Sequence, residues 1–196
     1  IFFHQPTFEV PLRNAAIAHG AQLRSGTTVL DVVERDDHVE LALDDATTLE
    51  ARTVVACDGA RSTVRRLLDV ELDDLAFDEP WLVVDLVCTH PVPGLPDRAL
   101  QVCDPARPHT LVPMPWPRFR FEFMLLPGED AEAMQHDDVV RGLLAAWIDP
   151  ALVEIERAAV YRFHGLLAKQ WRHGRVFLAG DAAHQMPPFL GQGIDR

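Results

Sequence analysis

Two short apolar runs in this chain each end at an aspartate beside a glycine. "TVVACDG" covers residues 53 to 59 and "RVFLAGD" covers residues 175 to 181. Neither run alternates with polar residues. Each therefore predicts a strand buried on both faces, as in the parallel sheets of α/β proteins. A strand that stops at an aspartate places a carboxylate at the carboxyl edge of its sheet, where α/β folds bind ligands. The glycine lets the backbone turn sharply there, or lets a ligand come close.

The rest of the chain is read around these two points. Residues Pro6 to His19 predict a helix ending at Gly20, with Pro11 forcing either a kink or a late start. Between residues 27 and 57 short strands are expected, with turns at Asp36-Asp37 and Asp44-Asp45. "DGARSTVRRLL" suits a short helix in its second half. From Trp81 the chain becomes sheet-rich. "WLVVDLVC", "RFRFEFMLL" and "VEIERAAVYRF" predict strands, and the proline-rich "VCDPARPHTLVPMPWP" predicts loop or edge strand. In "RFRFEFMLL", Phe119, Phe121 and Phe123 share one face and Arg118, Arg120 and Glu122 the other. A helix over His136 to Ile148, capped by Asp137 or Asp138, turns Val140, Leu143, Leu144 and Trp147 inward. Trp116 is assigned to the core as well.

Composition narrows the class. The chain has 196 residues, 48% of them hydrophobic and 24% charged. That suffices for one good core or for a domain with a second layer. A net charge of −12 would repel a polyphosphate backbone, so nucleic acid is not an expected partner. No apolar run approaches the ~20 residues of a membrane span, and no targeting segment is visible. The three cysteines lack C-x-x-C spacing, so they are expected to be reduced and mostly buried thiols of a cytoplasmic protein. Nine histidines show no metal-ligand spacing, so no metal site is expected. The chain opens on Ile1 inside a structured-looking stretch and is expected to be an internal piece of a longer protein.

The second strand end carries more than its aspartate. Ala182 and Ala183 leave room for a bulky ligand, and Pro187-Pro188 sets a stiff turn without backbone donors. Gly191 and Gly193 expose amide N–H groups at an expected helix start, which favours negative charge. A carboxylate there suits the hydroxyls of a sugar or polyol. Together these features suit a ligand with a polyol, a flat ring and an anionic edge. At the first strand end, Arg61 and Arg65 add positive charge.

"GDAAHQMPPFLGQG" resembles the second FAD fingerprint of the flavin-dependent aromatic hydroxylases of the p-hydroxybenzoate hydroxylase type. "CDGARSTVR" resembles their shared Asp-Gly motif, associated with FAD and NAD(P)H. "FDEPWLVVDL", "QVCDPARP" and "FEFMLLPGED" are similar to the branch that hydroxylates 3-(3-hydroxyphenyl)propionate and 3-hydroxycinnamate. The resemblance implies an α/β (α+β) fold. A partial FAD-binding Rossmann-like domain, residues 1–77 and 165–196, would be interrupted by a substrate-binding sheet domain, residues 78–164. It implies FAD as cofactor, NADH or NADPH as co-substrate, and a small aromatic acid and O2 as reactants. Asp181 would hold the ribityl chain, and Pro187-Pro188 would lie against the isoalloxazine ring. The amides of Gly191, Gln192 and Gly193 would face N1 and O2 of the flavin. Gly180, Ala182, Ala183 and His184 complete that motif. Asp58, Gly59 and Arg61 would sit near the pyrophosphate and the nicotinamide route, and Gln5 is a weaker candidate for the flavin shell.

Several residues carry an ordinary reading beside the functional one. His184 serves as a proton donor or as a structural hydrogen-bonding group. Tyr161 contacts a substrate phenol or packs on its strand. Arg118 and Arg120 grip a substrate carboxylate or line a solvated strand face. The family's first fingerprint, Gly-x-Gly-x-x-Gly, is absent, and the pattern after Gly193 breaks off. The chain alone is therefore expected not to catalyse hydroxylation. The alternatives are a related FAD monooxygenase with another aromatic or polyketide substrate, or a non-catalytic fragment.

Overall fold

The computed structural model describes residues 4–187. In chain order the elements are α1 (Gln5–Ala18), β1 (Val29–Glu34), β2 (Val39–Leu43), β3 (Thr48–Ala51), β4 (Val54–Ala56), α2 (Thr63–Leu67) and β5 (Leu72–Cys88). There follow β6 (Leu100–Val102), β7 (His109–Pro113), β8 (Arg118–Met124), α3 (Asp137–Leu144), β9 (Val153–Ala168), β10 (Arg172–His173), β11 (Val176–Leu178) and β12 (His184–Gln185). They group into two compact units, residues 1–21 with 79–162 and residues 22–78 with 163–196. No described helix is long and apolar enough to cross a membrane.

In the unit of residues 22–78 and 163–196, β1, β2 and β3 form an antiparallel meander. Its turns fall at the two acidic pairs. The Arg35 N–H donates to the His38 carbonyl across the first, and Ala46 in the second adopts a positive φ of 63°. β4 and β11 pair in parallel, Ala56 opposite Leu178, with β10 antiparallel on the far side of β11. Parallel pairing brings the carboxyl ends of β4 and β11 side by side. Val39, Leu41, Leu43, Ala56, Val64, Ala183, Val176 and Leu178 form the core. The expectation that β4 is buried on both faces fails at Val55, which is 59% exposed. Val54 and Ala56 turn inward, and the alternation of a strand sends Val55 the other way.

In the other unit, β9, β5, β8, β7 and β6 are adjacent in that order. β8 is antiparallel to both β5 and β7, and Phe121 lies between Val84 and Leu111. One face of this sheet is apolar: Leu82, Val84, Leu86, Leu111, Phe119, Phe121 and Phe123 are buried together with Val140 and Leu144 of α3. Burying each large side chain contributes about 1.5–3 kcal/mol. Truncating the fully buried Phe121 to alanine would cost about 3–5 kcal/mol.

The structure departs from the sequence pattern at several other places. α1 starts at Gln5 and runs through Pro11, with all its residues exposed. His109 to Pro113, expected as loop or edge, is an inner strand, because its proline closes the strand and takes no interior ladder position. Asp137 and Asp138 lie in the first turn of α3 and do not cap it, since His136 occupies the cap position. Trp116 is 63% exposed and outside the core. Cys57 and Cys103 are exposed and only Cys88 is buried, all three as free thiols.

Candidate functional site

At the end of β4 the chain turns through Gly59, whose φ of +80° is a conformation that side-chain-bearing residues rarely adopt. Asp58 folds back into its own loop. Its Oδ2 accepts the Val64 N–H at 3.0 Å, while Ser62 Oγ caps α2 by accepting the Arg65 N–H at 3.0 Å. Burial works to raise the Asp58 pKa, but hydrogen bonds from Ser62, Val64 and Thr63 outweigh it and hold the carboxyl below its ordinary value.

Arg65 joins the two strand ends. It is buried, and its guanidinium donates to the Ala182 carbonyl at 2.9 Å and to the Ala60 carbonyl at 2.8 Å. Gln185 Nε2 donates to the same Ala60 carbonyl at 3.1 Å. The sequence marked Arg65 as positive charge, but its charge is spent on carbonyls of both motifs.

At the end of β11, Gly180 has φ +57° and opens a 3-10 turn through Asp181 and Ala182, closed by the Ala183 N–H on the Gly180 carbonyl at 2.9 Å. Ala182 and Ala183 are fully buried, so their small size serves the packing of this turn onto the core. Asp181 is exposed and has no hydrogen-bond or ion-pair partner among the described residues. His184 is buried and stacks on Trp171, ring centroids 5.4 Å apart, while its backbone pairs with Leu167 of β9. Pro187 is half-buried and Arg61 is exposed. Pro188, Gly191, Gln192 and Gly193 lie outside the described residues. Gln5 belongs to the other unit, where it donates to Glu9 at 2.7 Å on α1.

The polar face of the sheet in the other unit is partly solvated, as expected, but its arginines are paired. Asp85 accepts from Arg120 at 2.7 and 3.3 Å and from Arg157 at 2.9 and 2.7 Å. Arg118 is held by Glu156 at 3.1 and 2.9 Å, and Arg157 also donates to Tyr161 Oη at 2.7 Å. Burial works to raise the Asp85 pKa, but the two arginines hold it below its ordinary value. Glu122 differs: burial pushes its carboxyl up to about 7, with the Arg120 charge opposing and the Asp85 charge reinforcing. On the rim, Arg107 of "CDPARP" donates to both carboxylate oxygens of Glu129 in "LLPGED" and to the Met124 carbonyl at 2.9 Å. Glu129 in turn accepts the Leu126 N–H at 2.7 Å.

The parallel strand ends thus bring together two glycine turns and an Asp181 carboxylate with no partner among the described residues. Residues 1–195 match the FAD binding domain family, and the chain belongs to it. It is 44% identical over 179 residues to a probable NADH-specific resorcinol 4-hydroxylase of Rhodococcus jostii (strain RHA1), a match covering 88% of this chain and 33% of that protein. It is 36% identical over 201 residues to a 3-(3-hydroxy-phenyl)propionate/3-hydroxycinnamic acid hydroxylase of Burkholderia vietnamiensis (strain G4 / LMG 22486), covering 98% of this chain and 36% of the relative. The chain thus spans about a third of the length of these curated relatives. Among solved structures, aklavinone-11 hydroxylase in complex with FAD and aklavinone superposes with a TM-score of 0.83 at 27% identity, over 97% of this chain and 38% of that one. A p-nitrophenol 4-monooxygenase from Pseudomonas putida DLL-E4 shares the fold with a TM-score of 0.80 at 24% identity, over 94% of this chain and 49% of that one.

Sequence reasoning missed three residues, Ser62 and Trp171 in one unit and Glu122 in the other. Ser62 was legible as a helix-start residue with its partner three positions on. Trp171, which stacks on His184, lies outside both motifs. The burial of Glu122 carries no local sequence signal, since strand alternation puts it on a face with two arginines.

Proposed function

We propose that the full-length protein is an FAD-dependent aromatic-ring monooxygenase that uses NADH or NADPH and O2 to hydroxylate a phenolic compound beside its hydroxyl. The observation that carries this reading is the free Asp181 carboxylate at the end of β11, next to a turn that Arg65 braces, in a chain of the FAD binding domain family. Residues 1–77 and 165–196 would contribute the cofactor part and residues 78–164 the substrate part, in the cytoplasm.

The residues present fit such a cofactor. Asp181 has lone pairs to offer a ribityl hydroxyl and no competing partner among the described residues. Gly59 and Gly180 turn the chain with no side chain in the way, and nothing lies within 4 Å of a Cβ built at either. Gly180, Ala182, Ala183, His184 and Pro187 shape the strand end, and Pro188, Gly191, Gln192 and Gly193 would extend it. Asp58 supports the Gly59 turn through Val64, so it would act on the pyrophosphate side by positioning the loop, with Arg61 supplying charge. Gln5 remains the weaker candidate. When bound, FAD supplies the redox chemistry of oxygen activation; the chain's share is to bind it, orient the ring and exclude water.

For the substrate, the resemblance of "FDEPWLVVDL", "CDPARP" and "FEFMLLPGED" favours a meta-hydroxylated phenylpropanoid acid. A second reading, a resorcinol-like diphenol, is favoured by the 44% identity to the resorcinol hydroxylase. The test is NADH- and NADPH-dependent oxygen uptake by full-length protein with 3-(3-hydroxyphenyl)propionate, resorcinol, salicylate and p-hydroxybenzoate, scored by product. Fastest turnover with the phenylpropanoid supports the first reading, and with resorcinol the second. No ring-dependent oxygen uptake with any of the four would overturn the hydroxylase reading.

A further inference from the structure

On the polar face of the β9-β5-β8-β7-β6 sheet, Asp85, Arg118, Arg120, Glu156 and Arg157 pair with one another, and Glu122 does not. Asp85 takes Arg120 and Arg157, Glu156 takes Arg118, and Arg157 also holds the Tyr161 oxygen. Glu122 sits on the same face of β8, directly opposite Val83 of β5 and Thr110 of β7. It is 5% exposed, yet its carboxyl has no hydrogen-bond donor among the described residues. The nearest hydroxyl on β7 is committed elsewhere, because Thr110 Oγ1 donates to Gln101 Oε1 at 3.2 Å. Arg120, two residues along the strand, is held by Asp85. The side chain is buried but its carboxyl oxygens are not sealed off, so they are open to a donor from a ligand. Groups of this kind, perturbed and set among charges, mark functional sites.

We propose that Glu122 is a substrate-contacting residue, whose carboxylate accepts a hydrogen bond from a ring hydroxyl of the aromatic substrate. Resting on the hydroxylase reading, this assigns the position a ligand chemistry: a neutral hydroxyl donor. A carboxylate group of a substrate finds no partner here, since Arg118, Arg120 and Arg157 are already engaged by acids. A phenolic acid must therefore present its ring hydroxyl to Glu122 and its carboxylate elsewhere. A diphenol satisfies the site with either hydroxyl.

The linkage follows from the charges that face Glu122. Asp85 on β5 raises its proton affinity and Arg120 on β8 lowers it; Arg157 on β9 acts through Asp85, and Thr110 on β7 is neutral. A hydroxyl donor stabilises the ionised carboxylate, so binding expels a proton wherever the free carboxyl still carries one. Substrate affinity should rise with pH up to about 7 and level off above it.

The experiment uses full-length flavin-loaded protein without NADH and reads ring binding by perturbation of flavin absorbance. The probes are resorcinol and 3-(3-hydroxyphenyl)propionate, titrated between pH 5.5 and 8.5. Wild-type affinity should climb through about pH 7. Glu122→Gln should weaken binding on the order of tenfold or more and make it independent of pH, with the loss appearing in KM before kcat. Wild-type binding that is flat in pH overturns the proposal whether or not the variant folds, and so does a folded Glu122→Gln protein with unchanged affinity. A wild-type holoenzyme that neither binds nor hydroxylates any ring removes the hydroxylase reading, and this assignment falls with it. One that hydroxylates while its binding is flat in pH removes only the role of Glu122.

Discussion

Asp58 and Asp181 stand at the ends of two parallel neighbours, each after an apolar strand and each beside a glycine with positive φ. Their carboxylates have opposite fates. Asp58 is consumed by its own loop, accepting from the Val64 N–H and holding the start of α2. Asp181 faces out with no partner among the described residues. The difference lies downstream. After Gly59 the chain supplies Ser62 and a helix whose first N–H groups need acceptors. After Asp181 it makes a 3-10 turn closed by its own backbone. One aspartate builds its own loop, and the other is the one we propose for a ligand.

The comparison breaks first at Arg65, which serves both ends. Arg65→Met removes two charge-assisted bonds, leaving the Ala182 carbonyl without its donor and the Ala60 carbonyl with Gln185 alone. Unfolding free energy should fall by about 3 kcal/mol or more. Urea unfolding of the full-length protein measures it, and a loss under about 1 kcal/mol, the worth of a single ordinary hydrogen bond, would mean the two loops do not depend on this residue. Asp181→Ala should next weaken FAD binding by about 10- to 150-fold, the loss of a hydrogen bond to a charged group worth about 1.5–3 kcal/mol. Stability without FAD should change by no more than about 0.5 kcal/mol. Apo-protein titrated with FAD, followed by flavin fluorescence, checks this, and unchanged affinity would show that Asp181 serves something else.

Asp58→Ala should do the reverse, costing about 0.5–2 kcal/mol of stability as the loss of a helix-start acceptor. Its folded pKa lies below the ordinary 3.8, so its contribution is present above that value and lost as pH falls through the lowered one. The wild-type advantage over Asp58→Ala should therefore begin to shrink near pH 3.8 and vanish at lower pH in acid denaturation; an advantage that persists in strong acid would place the stabilisation outside the ionised carboxylate. An effect of similar size to that of Asp58→Ala is expected at the glycines. Gly59→Ala and Gly180→Ala meet no neighbouring atoms. Each should cost only the backbone strain of a left-handed conformation, about 1–2 kcal/mol in the same urea unfolding measurement. A much larger loss at one of them would expose a crowding partner beyond the described residues.

Much of this was readable beforehand. The β1-β2-β3 meander follows from acidic pairs between alternating runs, and the buried face of β8 from phenylalanines at every second position. Both are local patterns with a fixed period. The substrate branch was read from "FDEPWLVVDL", "QVCDPARP" and "FEFMLLPGED", and in the last two the charged residues Arg107 and Glu129 bond each other. Those two motifs report a clamp between neighbouring loops, so they speak for shared architecture more than for a substrate. Arg118 and Arg120 looked like free cations because their partners, Glu156 and Asp85, lie 38 and 35 residues away in the chain.

What the sequence determined alone is whatever depends on neighbours along the chain: strand period, turn chemistry, the helix start at Ser62, and two aspartates at strand ends. Only tertiary structure decided which charges were spent. Whether a carboxylate is paired depends on distances between strands far apart in sequence, and hydrogen-bond geometry is lost within an ångström. So Asp85 is neutralised by arginines from two strands, Asp58 is folded into its loop, and Asp181 and Glu122 have no partner among the described residues.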